Sequence, residues 1–78
     1  MRFEAYKLSE NNYQIFMIED NQRAWLASFR NLSSLLNYYI YCHNLSNDEL
    51  IFTGMILTDD ESSILNNEMG EWNINVIG

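Results

Sequence analysis

A chain of 78 residues with a formal charge of −7, three glycines, no proline and one cysteine has no room for a second domain or an internal disulfide framework. Hydrophobic residues make up 47% and aromatic residues 14%, which suits one folded core and argues against long disorder. Four basic against eleven acidic side chains disfavour direct binding to DNA or RNA, because counterion release needs Lys and Arg.

In chain order, Arg2 to Ser9 reads as a strand of imperfect alternation, with Phe3 and Ala5 on one side and Tyr6 and Leu8 on the other. Glu10-Asn11-Asn12 is a polar turn, since Asn tolerates the left-handed backbone of tight hairpins. Tyr13 to Glu19 (YQIFMIE) is rich in aromatic and branched residues, the mark of a central, well-covered strand. Asp20-Asn21-Gln22 is a second turn. Arg23 to Phe29 (RAWLASF) fits two states: Trp25, Ala27 and Phe29 alternate as in a strand, while Ala24, Leu26 and Ala27 suit an early helix start. Two turns at similar spacing favour a third strand.

Asn31 to Asn44 (NLSSLLNYYIYCHN) gives the clearest helix, with Leu32, Leu35, Leu36, Tyr39 and His43 on one face and Asn31 as N-cap. Ser46 and Glu49 have the spacing of a capping box, or lie in a plain surface loop. Leu50 to Leu57 reads as a buried strand with Gly54 at a bulge or close approach. The segment from Thr58 to Met69 has room for a short helical turn over Ser62 to Asn67, ended by Gly70. Glu71 to Ile77 alternates with Trp72, Ile74 and Val76 inward. The expected fold is therefore a single α+β domain over residues 1–78, in the order β-β-β-α-β-(short α)-β. It comprises a mainly antiparallel sheet of four to five strands with one principal helix on a face.

Charge is distributed unevenly. Arg2, Lys7, Arg23 and Arg30 all lie in the first thirty positions, balanced there by Glu4, Glu10, Glu19 and Asp20. From Asn31 onward there is no Lys or Arg, only Asp48, Glu49, Asp59, Asp60, Glu61, Glu68 and Glu71, so the whole formal charge of −7 belongs to that part. Such a field attracts basic surfaces and speeds their encounter in a salt-dependent way. A plainer role for it is solubility. Asp59, Glu61 and Ser63 alternate as calcium ligands would, but the EF-hand loop then needs glycine at position 64 and an acid at 70, where Ile64 and Gly70 stand.

Chemistry is thinly represented. Cys42 and His43 are neighbours, about 100° apart on a helix, which is poor placing for a nucleophile and its base, and two ligands cannot close a zinc site. No glycine-rich phosphate loop or Ser-His-Asp pattern is present, so a non-enzymatic protein without a cofactor is expected. The opening MRFEAYKLSE lacks the apolar run of a signal peptide and no stretch approaches membrane-spanning length, so a soluble, cytoplasmic protein is expected. On the helix, Tyr38 and Tyr41 fall away from the leucine stripe, a composition found at protein interfaces.

In size, acidity and hairpin-first order the chain resembles the small acidic inhibitors carried by phages and mobile elements, including anti-CRISPR proteins and DNA mimics. That resemblance implies steric and electrostatic blockade of a basic surface that normally holds nucleic acid. Asp48, Glu49, Asp59, Asp60, Glu61, Glu68 and Glu71 are then the contact set, with Tyr38 and Tyr41 as anchors. An immunity or antitoxin-like protein against a basic toxin and a structural homo-oligomeric component are the alternatives, and a homodimer could use the tyrosine patch, particularly through a free strand edge.

Overall fold

A computed structural model describes residues 1–42, 48–53, 57–72 and 74–77, with the backbone alone for 68–72 and 77. The elements are β1 (Arg2–Ser9), β2 (Asn12–Glu19), β3 (Gln22–Phe29), α1 (Leu32–Cys42), β4 (Glu49–Thr53), α2 (Asp59–Trp72) and β5 (Ile74–Ile77). The sheet order is β3-β2-β1-β4-β5. His43, Ser46 and Gly54 lie outside the described residues, and Glu49 opens a strand where a capping box would have placed it in a helix.

The second hairpin follows from local chemistry, whereas the first turns at Glu10-Asn11 without the left-handed backbone expected of its asparagines. Glu19 pairs with Gln22 across a loop of Asp20 and Asn21, whose φ angles of 52° and 63° are both left-handed, as a type I′ hairpin requires. In the first hairpin Ser9 pairs with Asn12, and a register shift between Lys7 and Ser9 leaves Leu8 65% exposed. Arg23 to Phe29 is a strand, but not an evenly alternating one. Ile15 pairs with Ala27 and Phe16 with Trp25, so Leu26 is an extra residue. That bulge sends Trp25 to the face opposite Ala27 and Phe29, which corrects the expected common side.

Three further expectations need correction. The sheet is mixed: β1–β2 and β2–β3 are antiparallel, whereas β1–β4 and β4–β5 are parallel. The reason is that a helix carries the chain back to its starting end, so β4 resumes the direction of β3 and hence of β1, and β5 resumes that of β4. The segment after Thr58 holds a full helix from Asp59 to Trp72 instead of a single turn, with Gly70 inside it. Two helices therefore lie on the sheet. Trp72 closes that helix and does not begin the last strand, which is described over Ile74–Ile77. Of the strand expected over Leu50 to Leu57, Leu50 to Thr53 lie in β4, Leu57 does not, and 54–56 lie outside the described residues.

Both helices pack on one face. Leu32, Leu35, Leu36 and Tyr39 of α1 and Leu65 of α2 join Phe3, Ala5, Tyr13, Ile15, Leu50, Phe52 and Ile74 in one buried cluster. Asn31 caps α1 as its side chain predicts, its Oδ1 accepting from the Ser34 amide at 2.8 Å. Phe3 meets the Tyr39 ring edge-on with centroids 5.7 Å apart. No helix among the described residues is long and apolar enough to cross a membrane.

Candidate functional site

The acidic residues separate into those the fold uses and those it leaves outside. Glu61 belongs to the first group. Thr58-Asp59-Asp60-Glu61 forms a reciprocal capping box: the Glu61 amide donates to Thr58 Oγ1 at 3.2 Å and the Thr58 amide to Glu61 Oε1 at 3.0 Å. The same carboxylate accepts from Lys7 Nζ at 2.6 Å and from the Tyr13 hydroxyl. Glu61 is 7% exposed. Burial alone pushes its carboxyl up, but the Lys7 ammonium, the Thr58 amide and the Tyr13 hydroxyl together hold it at about 2. In return Glu61 raises Lys7, while burial and then the Glu61 carboxylate raise Tyr13. A carboxylate so saturated is a clamp between α2, β1 and β2, and is unsuited to proton transfer near neutrality.

Asp48 is turned inward too, 5% exposed, with Oδ1 3.4 Å from the Met1 α-ammonium. Its neighbour Glu49 is half-buried and lies 3.7 Å from Arg2 Nε. The buried Tyr39 hydroxyl has no hydrogen-bond partner among the described residues, and burial, reinforced by Asp48 and Glu49, pushes it up to about 12.

Asp59 and Asp60 point outward from the first turn of α2, where their charge also complements the helix dipole. Glu68 and Glu71 belong to the same helix, with side chains outside the described set. The nominated tyrosines diverge: Tyr41 is 83% exposed, whereas Tyr38 is half-buried against Phe29, centroids 5.3 Å apart. Among the described residues no three acidic, His or Cys side chains converge in a way that could hold a metal ion.

A second surface escaped the sequence reading. The side of the sheet away from the helices carries Arg2, Glu4 and Tyr6 of β1, Gln14, Phe16 and Ile18 of β2, Arg23 and Trp25 of β3, and Glu49 and Ile51 of β4, as register and alternation place them. The strand expected to be central and well covered over Tyr13 to Glu19 is central, between β3 and β1, but its cover is uneven: Tyr13 and Ile15 are buried, Phe16 and Ile18 half-buried. The side chains here are tied together. Glu4 accepts from the Tyr6 hydroxyl and from Arg23 Nε at 3.1 Å, and Arg23 lies over the Tyr6 ring at 5.4 Å. Gln14 accepts from Trp25 Nε1 at 2.6 Å and from Ser28 Oγ at 2.8 Å. Tyr6 and Phe16 meet edge-on with centroids 5.7 Å apart. Phe16 and Ile18 at alternate positions of β2 were the available signal. The Leu26 bulge, which brings Trp25 to this side, has no local signature.

Comparison with known proteins found no matching family model, no matching curated protein and no matching solved structure.

Proposed function

We propose that the chain is a non-enzymatic binding protein that covers a basic surface of a protein partner, one that normally holds nucleic acid, and blocks it electrostatically and sterically. The observation that carries this reading is the imbalance left after internal pairing. Lys7 is taken by Glu61, Arg2 by Glu49 and Arg23 by Glu4, so among the described residues only Arg30 has no ion pair. Asp59 and Asp60 stay exposed on a helix with no Lys or Arg of its own. Carboxylates fixed on a helix face present charge much as backbone phosphates do and attract Arg and Lys. Inhibitors of the anti-CRISPR or DNA-mimic kind act in this way. The contact set narrows to Asp59 and Asp60, with Glu68 and Glu71 on the same helix and Tyr41 as the exposed ring. Asp48 and Glu61 act through the fold.

The reading is tested by replacing Asp59 and Asp60 with Asn while keeping Glu61. The folded variant is expected to lose a partner captured by the parent chain, and that partner is expected to be basic and to be released by salt. Undiminished capture by the variant removes α2 as the contact.

A further inference from the structure

The uncovered sheet face does not look like a solvated one. Outward positions of a half-exposed antiparallel sheet are ordinarily polar. Here Tyr6, Phe16, Ile18 and Trp25 occupy them: the first three are half-buried, Ile51 on the same side is buried, and Trp25 is 59% exposed. Trp, Tyr and Arg are the residues that dominate binding energy at protein interfaces. Their rings are also held in place: Trp25 by Gln14, and Tyr6 by Glu4 and Arg23. Docking would therefore immobilise few rotamers that are not already fixed.

Charge decides the occupant. This face carries Arg2 and Arg23 against Glu4 and Glu49, a sum of zero. The other two basic residues and nine acidic ones carry the entire −7 (2 − 9 = −7). A second copy of a protein this acidic is repelled from its other sides and meets no net repulsion here. A shallow cleft lined by Arg2, Glu4, Ile18, Asn21 and Arg23 adds both signs within one patch. That is what a twofold contact needs, because each surface must complement itself. A standard interface takes about 800 Å² from each partner. That is roughly a sixth of the 5033 Å² surface.

We propose that this face, centred on Tyr6, Phe16 and Trp25, binds a second copy of the chain. The dimer leaves α2 of each copy facing outward, so Asp59 and Asp60 are displayed twice on opposite sides. This pairing goes beyond the function proposed above and holds whether or not α2 meets a basic partner.

Sedimentation equilibrium of the full chain between about 10 μM and 1 mM tests it. The expected result is a concentration-dependent dimer, weakened at least about tenfold in Trp25→Asp, with circular dichroism unchanged and a folded baseline retained in urea at a concentration where both chains are monomeric. In the parent chain, the Trp25 indole N–H resonance is expected to shift with concentration. A monomer throughout that range, or an indole resonance that stays fixed while dimer forms, overturns the proposal. So does a folded Trp25→Asp chain that dimerises equally well, which would move the contact to a strand edge. Protection of Trp25 only on binding a different protein gives the face to that protein and overturns self-association.

Discussion

The two sides of the first turn of α2 carry the same chemistry to opposite ends. Glu61 faces inward and is 7% exposed, holding Thr58, Lys7 and Tyr13 at once. Asp59 and Asp60, two and one residues earlier, face water and make no ion pair among the described residues. An acidic composition therefore does not measure an acidic surface. Every ion pair to a side-chain cation among the described residues consumes one acid, and two of the three consumed belong to the part of the chain that has no basic residues. What remains outside can act on a partner, and what lies inside acts on stability.

Substitutions should separate the two roles cleanly, with the largest effect on the inward side. Glu61→Ala removes the cap and leaves Lys7 and the Tyr13 hydroxyl unpaired, so a loss of about 3–5 kcal/mol is expected in urea unfolding. In a domain of this size that brings the chain close to unfolding at room temperature. Protonating the same carboxylate does nearly as much. Its ordinary value is 4.5 and its folded value about 2, so the stabilisation is fully present above 4.5 and is lost as pH falls through 2. About 3 kcal/mol is expected to disappear over that window. Thermal melts at pH 6 and pH 2 read it, and Glu61→Gln should flatten the dependence.

Tyr39→Phe sharpens the contrast from within the core. Its hydroxyl is buried with no partner among the described residues, so its removal is expected to leave stability unchanged or raise it by about 1 kcal/mol. A clear loss in chemical denaturation would mean that the hydroxyl is satisfied. Outside, a small loss of stability is expected. Asp59→Asn with Asp60→Asn weakens only the dipole contribution, about 0.3–1 kcal/mol for each at low salt.

Much of this fold can be read from nearby residues. The second hairpin is written in Asp20-Asn21, and α1 in the spacing of Leu32, Leu35, Leu36 and Tyr39 behind the Asn31 cap; Glu10-Asn11 forms the first turn without the left-handed backbone expected there. The mixed sheet was within reach as well, since each strand-helix-strand step preserves direction. The Thr58-x-x-Glu61 box was legible too, and it fixes where α2 begins. The inward turn of Glu61 was not legible. It depends on Lys7 and Tyr13, which lie 54 and 48 positions away and come together only across the finished sheet. The aromatic face is hidden for a similar reason, because the Leu26 bulge reverses the side on which Trp25 emerges.

The most direct test of outward acids as the working surface is affinity capture from the native host or its prey. The parent chain is compared with the Asp59→Asn, Asp60→Asn variant, each at about 0.05 M and 0.5 M salt. The expected result is a basic partner held by the parent at low salt, released at high salt and absent from the folded variant. A partner held equally by both proteins at both salt concentrations would contradict the account.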